Sequence, residues 1–179
     1  MIRTRLQKIR RSIINWYQIS GRDLSWREKT DPYSILIAEM LLRRTTATAV
    51  RRVYESFLKM FDSVEKLVGS KEQDIANAIS TIGLQNIRAR SLKAMALSIL
   101  TEYQGIVPRS KNELETLPGV GPYIAAATAN FAFDVSEPLV DGNVIHLLSR
   151  LFDSEYSGSD DSNAWAFMRI FGGRNQRKE

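Results

Sequence analysis

Leu117-Pro118-Gly119-Val120-Gly121-Pro122-Tyr123 is the stretch from which the rest of the chain is read. Two glycines separated by one residue let a backbone reverse sharply and expose its amides. Pro122 suits the first turn of a helix, where a missing N–H is no loss. The free amides around Gly119 and Gly121 then lie at a helix N-terminus, which is a ready anion site. The stretch reads as a tight turn between two helices that grips a nucleic-acid backbone, with Gly119, Val120 and Gly121 at the grip. A plain helix–helix turn also uses Gly-x-Gly, so the pair alone does not choose between the two.

Downstream, the segment from Tyr123 to Phe133 is small, apolar and rich in alanine, which allows close helix packing. Ser136-Glu137-Pro138-Leu139-Val140 is extended, because proline pushes its predecessor away from helix. Asp141 then caps a helix over 144–152. A last helix over 162–171 turns Trp165, Met168 and Phe171 inward, and the polar tail 172–179 is expected to fray.

Upstream, Ser110-Lys111-Asn112-Glu113 is a capping box that starts the helix feeding the turn. The longest helix is predicted over 87–103, with Leu92, Met95, Ile99 and Leu100 inward and Arg88, Arg90 and Lys93 outward. Before it, Ile82-Gly83-Leu84-Gln85-Asn86 is a turn closed by Gly83. Leu84 beside two amides either wedges into a duplex or serves as the hydrophobic contact of the cap. Ser70-Lys71-Glu72-Gln73 reads as a second capping box, for a helix reaching about Thr81. Amphipathic patterning predicts helices over 48–61 and 63–68.

Asp31-Pro32 is a strong helix start, a capping carboxylate followed by proline. From Ile35 to Leu42 this helix is apolar on nearly every face and should be buried. Glu39 is the exception: it either pairs with a buried partner or belongs to a working site, since desolvating an unpaired carboxylate costs several kcal/mol. Arg43-Arg44-Thr45-Thr46 follows, suited to phosphate or base-edge contacts or, alternatively, to the helix dipole. Trp26, in the loop 20–30, reads as a core plug. Residues 2–19 form a helix with Leu6, Ile9, Ile13 and Tyr17 about a turn apart and arginines on its other faces.

No convincing β alternation appears, so the fold class is all-α. The 179 residues, 44% hydrophobic, suffice for one domain or two small lobes. The formal net charge of +5 modestly favours polyanionic partners. No cysteine is present, so disulfides, thiolate metal sites, iron–sulfur clusters and cysteine nucleophiles are excluded. The single histidine, His146, argues against a His-built metal site, and no cofactor is expected. No long apolar run and no signal-peptide pattern appear, which places the chain in the cytoplasm with the nucleoid rather than at a membrane.

Four stretches, in order, resemble the helix-hairpin-helix (HhH-GPD) DNA glycosylase superfamily of endonuclease III and MutY. They are Leu24-Ser25-Trp26-Arg27 with Asp31-Pro32-Tyr33, Ala38-Glu39-Met40-Leu41-Leu42-Arg43-Arg44-Thr45, the glycine turn, and Val140-Asp141-Gly142-Asn143-Val144. The match covers about 22–152. The second stretch looks most like thymine–guanine mismatch glycosylases; adenine glycosylases usually carry two glutamines where Arg43 and Arg44 stand. The last stretch looks more like MutY.

The resemblance implies two helical lobes with a cleft between them and no iron–sulfur cluster. One would be a six-helix, barrel-like lobe over 26–136 that contains the hairpin; the other would combine 1–25 with 137–179. Relatives continue with more helices, so the second lobe is open to truncation at its C-terminal end. The implied partner is double-stranded DNA bearing a mismatched or damaged base, engaged by a monomer. Asp141 would stabilise an oxocarbenium-like sugar or orient water, and Glu39 would serve the leaving base as acid. Tyr123 stands where lyase-competent relatives carry a lysine, which implies a monofunctional enzyme with Tyr123 lining the base pocket. Arg43, Arg44, Thr45, Leu84, Gln85 and Asn143 would contact DNA. The activity implied is release of thymine or uracil opposite guanine. The alternatives are an adenine glycosylase acting opposite guanine or oxidised guanine, and a catalytically silent DNA-binding module.

Overall fold

A computed structural model describes residues 2–152 and 162–171. The expected tail 172–179 lies outside the described residues. Ten α-helices are present among the described residues: α1 (Ile2–Ser20), α2 (Pro32–Leu42), α3 (Ala47–Met60), α4 (Val64–Gly69), α5 (Glu72–Ala78), α6 (Gln85–Glu102), α7 (Lys111–Thr116), α8 (Pro122–Phe133), α9 (Gly142–Phe152) and α10 (Ser162–Phe171). No strand occurs among them, and the fold is all-α. None of these helices is long and apolar enough to cross a membrane.

The chain divides into two compact units, Ser25–Glu137 and Met1–Leu24 with Pro138–Glu179. The first holds seven α-helices, one more than the six expected, and its core is α2. Asp31 accepts from the Ser34 amide at 2.8 Å and Pro32 starts the helix, as capping chemistry requires. Leu36, Ile37 and Leu41 are fully buried, each worth about 1.5–3 kcal/mol of burial. The helix α8 packs against α2, and its small, fully buried Ala125, Ala126, Ala127 and Ala129 make that close approach possible. Further packing places α3 and α6 on α2, with α4 and α5 on α6. Trp26 is a core plug, buried edge-on against Tyr54 at 5.5 Å.

One cap differs from expectation. Ser70 does not start α5: the N-cap is Lys71, with no side-chain bond. The Ser70 hydroxyl instead donates to the Lys66 carbonyl at 2.7 Å, closing α4, and Gln73 donates to Asn77 at 2.9 Å. The preceding helix competes for the same serine and takes it.

Two buried phenols tie the helices of this unit together. Tyr33 donates to the Phe61 carbonyl and Tyr54 to the Ser34 carbonyl, both at 2.9 Å. Burial, and after it nearby carboxylates, pushes both phenols well above their ordinary value. A folded-state value above the unfolded one contributes stability that is whole below about pH 10 and lost as pH rises further. The urea midpoint is therefore expected to fall above about pH 10, and to fall less steeply in a Tyr33→Phe/Tyr54→Phe variant. Equal slopes in the two proteins would exclude the phenols as the cause.

In the other unit, Val140, Leu148 and Ala164 form a buried cluster covered by Val144, Ile145, Trp165, Phe167 and Met168. In α1, Leu6 and Ile9 are half-buried while Ile13 and Tyr17 are exposed.

Candidate active site and nucleic-acid interface

The hairpin is built from α7, the glycine turn and α8. Ser110 and Glu113 form the expected reciprocal capping box at the start of α7. Leu117 and Val120 are buried and pin the turn from inside, while Pro118 and Gly119 are exposed. Gly119 has φ +79°, a conformation that penalises any side chain. The Val120 amide donates to the Leu117 carbonyl at 3.0 Å. Val120 therefore anchors the turn and its own N–H is committed, which departs from its expected place among the gripping amides. Among the described residues, the Gly119 and Gly121 amides have no backbone acceptor. Tyr123 is half-buried in the first turn of α8.

The end of α2 meets this hairpin. Arg43 leaves the helix at φ −57°, ψ 125°, and its guanidinium donates to the Gly119 carbonyl at 2.8 Å. Arg44 follows in the left-handed region at φ 50° and is exposed, while Thr45 is half-buried. Glu39, a turn earlier in α2, is 7% exposed.

The α6 entry forms a second turn. Gly83 and Leu84 both have positive φ, 75° and 53°, and Leu84 is left 48% exposed. Gln85 is half-buried at the first position of α6. Arg88, expected to face outward, is instead 7% exposed. Its Nε donates to the Gly83 carbonyl at 2.9 Å, and Nη1 reaches the carbonyls of Leu41 at 3.2 Å and Met40 at 3.4 Å. Nη2 donates to the Arg43 carbonyl. A helix C-terminus leaves its last carbonyls without intrahelical partners and carries partial negative charge; a buried guanidinium answers both. Burial, then the charge of Arg43, lowers the Arg88 pKa from its ordinary value, but an arginine stays charged.

Asp141 stands in the other unit, half-buried at the mouth of α9. One carboxylate oxygen accepts from the Val144 amide at 2.8 Å, and the other accepts from the Asn143 side-chain amide at 2.9 Å. Both bonds hold the carboxylate in one orientation. Asn143, expected to contact DNA, is exposed and spends one amide proton on Asp141.

Residues 37–164 match the family model described as HhH-GPD superfamily base excision DNA repair protein. The chain belongs to that superfamily. It is 41% identical over 148 residues to the thymine-DNA glycosylase of Aeropyrum pernix, covering 82% of this chain and 66% of the relative. It is 39% identical over 145 residues to the thymine/uracil-DNA glycosylase of Methanothermobacter thermautotrophicus, covering 81% and 66%. This chain thus spans just under two thirds of the length of these relatives. A solved thermostable thymine-DNA glycosylase superposes with a TM-score of 0.89 at 34% identity, covering 97% of this chain and 82% of that one. The adenine DNA glycosylase of Mycolicibacterium smegmatis is 32% identical over 139 residues, covering 77% of this chain and 47% of the relative.

The HhH-GPD assignment and the all-α fold agree with the sequence resemblance. The iron–sulfur cluster of many HhH-GPD proteins does not fit this chain, which has no cysteine to hold it. Within the unit Ser25–Glu137, the structure brings Arg43 onto Gly119. Arg88 is the residue that sequence reasoning misplaced. Its spacing carried the signal: Leu92, Met95 and Ile99 follow at i+4, i+7 and i+11, so Arg88 begins the buried stripe of α6.

Proposed function

We propose that this chain is a monofunctional DNA glycosylase that hydrolyses the N-glycosidic bond of thymine or uracil opposite guanine in double-stranded DNA, one copy of the chain acting per lesion. The observation that carries the reading is Asp141, with both oxygens held by Val144 and Asn143, in a chain 41% identical to a thymine-DNA glycosylase. The hairpin amides at Gly119 and Gly121, with Arg44 and Thr45, take the phosphodiester backbone. Extruding a base costs roughly a few kcal/mol, least at a mismatch, and exposed Leu84 with Gln85 fills the vacated place.

As the bond between C1′ and the base nitrogen lengthens, positive charge builds on the sugar and negative charge on the base. The carboxylate of Asp141 stabilises the cation and orients the water that adds to C1′. The water keeps one hydrogen as the new sugar hydroxyl and passes its other proton to the Asp141 carboxylate as the C–O bond forms. The departing base gains a proton, a role assigned to Glu39. Asp141 then releases its proton to solvent, from which Glu39 is reprotonated. Tyr123 borders the extruded base and offers no amine for a Schiff base, so the product is an abasic site.

Labelled duplexes carrying T·G, U·G, A·G and A opposite oxidised guanine test this directly. Thymine and uracil are expected to be released, with strand breaks appearing only after alkali. Breaks without alkali would overturn the monofunctional assignment. Release of adenine alone would favour the second reading, an adenine glycosylase, which the Val140-Asp141-Gly142-Asn143-Val144 run supports. Binding with no base release would leave a silent DNA-binding module.

A further inference from the structure

We propose that Arg88 is a positioning residue that sets the glycine hairpin against the Leu84 turn, so that backbone grip and base extrusion are coupled through one buried guanidinium. Its geometry stands by itself; its consequence for catalysis rests on the glycosylase reading above.

Arg88 reaches two separate segments at once. Nε holds the Gly83 carbonyl, and so fixes the backbone that presents Leu84 in the left-handed region. The terminal nitrogens hold the carbonyls of Met40, Leu41 and Arg43 at the end of α2. Arg43 is in turn the residue whose guanidinium holds the Gly119 carbonyl. The path from wedge turn to hairpin is thus Gly83, Arg88, the Arg43 backbone, the Arg43 side chain and Gly119, three hydrogen bonds joined through the covalent frame of Arg43. Close packing supports it: a Cβ built on Gly119 would lie 3.2 Å from the Met40 methyl, 3.3 Å from Arg43 Nη1 and 3.5 Å from Ser91 of α6. A planar fork with five donors can serve several carbonyls together; an ammonium is a single point and cannot hold the same spread.

Two full-length variants test the relay, Arg88→Lys at the buried hub and Arg43→Met at the exposed arm. Each is compared with the wild type by thermal midpoint, affinity for an undamaged duplex, hydrogen exchange in segment 117–121, and 2-aminopurine fluorescence beside a T·G mismatch at saturating protein. The affinity of Arg88→Lys for undamaged duplex fixes the protein concentration at which it is saturated. At saturation its extrusion signal and single-turnover base release should fall about tenfold, because small misplacements are costly. Hairpin exchange should quicken about tenfold in both variants. The saturating rate separates positioning from mere loss of stability, which would lower the thermal midpoint and leave that rate unchanged. Wild-type extrusion in folded Arg88→Lys overturns the proposal. So does unchanged hairpin exchange in Arg43→Met, which remains decisive even where Arg88→Lys fails to fold. If the wild type releases no base from any duplex, the glycosylase reading fails, while exchange and fluorescence still decide the role of Arg88.

Discussion

Asp141→Asn is expected to bind a T·G duplex as the wild type does and to release thymine about a thousandfold more slowly. The substitution is nearly isosteric, and asparagine caps helices as well as aspartate does. Its oxygen can still accept from the Val144 amide, so α9 keeps its start. The other oxygen is replaced by an NH₂ group facing the Asn143 amide, which can turn over and accept. The net change is loss of one negative charge. A unit charge about 4 Å from a developing cation contributes roughly 4 kcal/mol at an effective dielectric near 20. At about 1.4 kcal/mol per decade this is close to three decades of rate. Single-turnover release from a labelled duplex measures it, with thermal unfolding as the control for fold. A variant that released thymine at the wild-type rate would remove Asp141 from the chemistry.

Gly119→Val is expected to lower stability by about 2–4 kcal/mol and duplex affinity by about tenfold or more. At φ +79° a branched side chain is strained whatever room it finds. Room is also short, with the Met40 methyl at 3.2 Å and Arg43 Nη1 at 3.3 Å from the new Cβ. Displacing Arg43 would cost the bond to the Gly119 carbonyl, a charged donor on a neutral acceptor. Gly121→Ala is the contrasting case. Gly121 has φ −93°, and nothing lies within 4 Å of a Cβ there. Its stability should stay within about 0.5 kcal/mol of the wild type. Urea midpoints and titration with a fluorescent duplex separate the two. Equal effects at both positions would mean that the turn does not depend on the conformation of Gly119.

The starts of α2, α7 and α9 and the reversal at Gly119 were legible in the amino acids alone, because capping, proline and positive φ act over three or four residues. Asp31 on Ser34, Ser110 with Glu113, and Asp141 on Val144 are all contacts at a separation of three. Even at that range Ser70 was misread, since α4 behind it competes for the same hydroxyl and holds it. What the tertiary structure alone decided is which carbonyls the cations reach. Arg88 finds its α2 carbonyls 45 to 48 residues away, and Arg43 finds Gly119 at a separation of 76. A guanidinium on a helix reads as solvated until a helix C-terminus arrives beside it, because only those oriented carbonyls repay its removal from water.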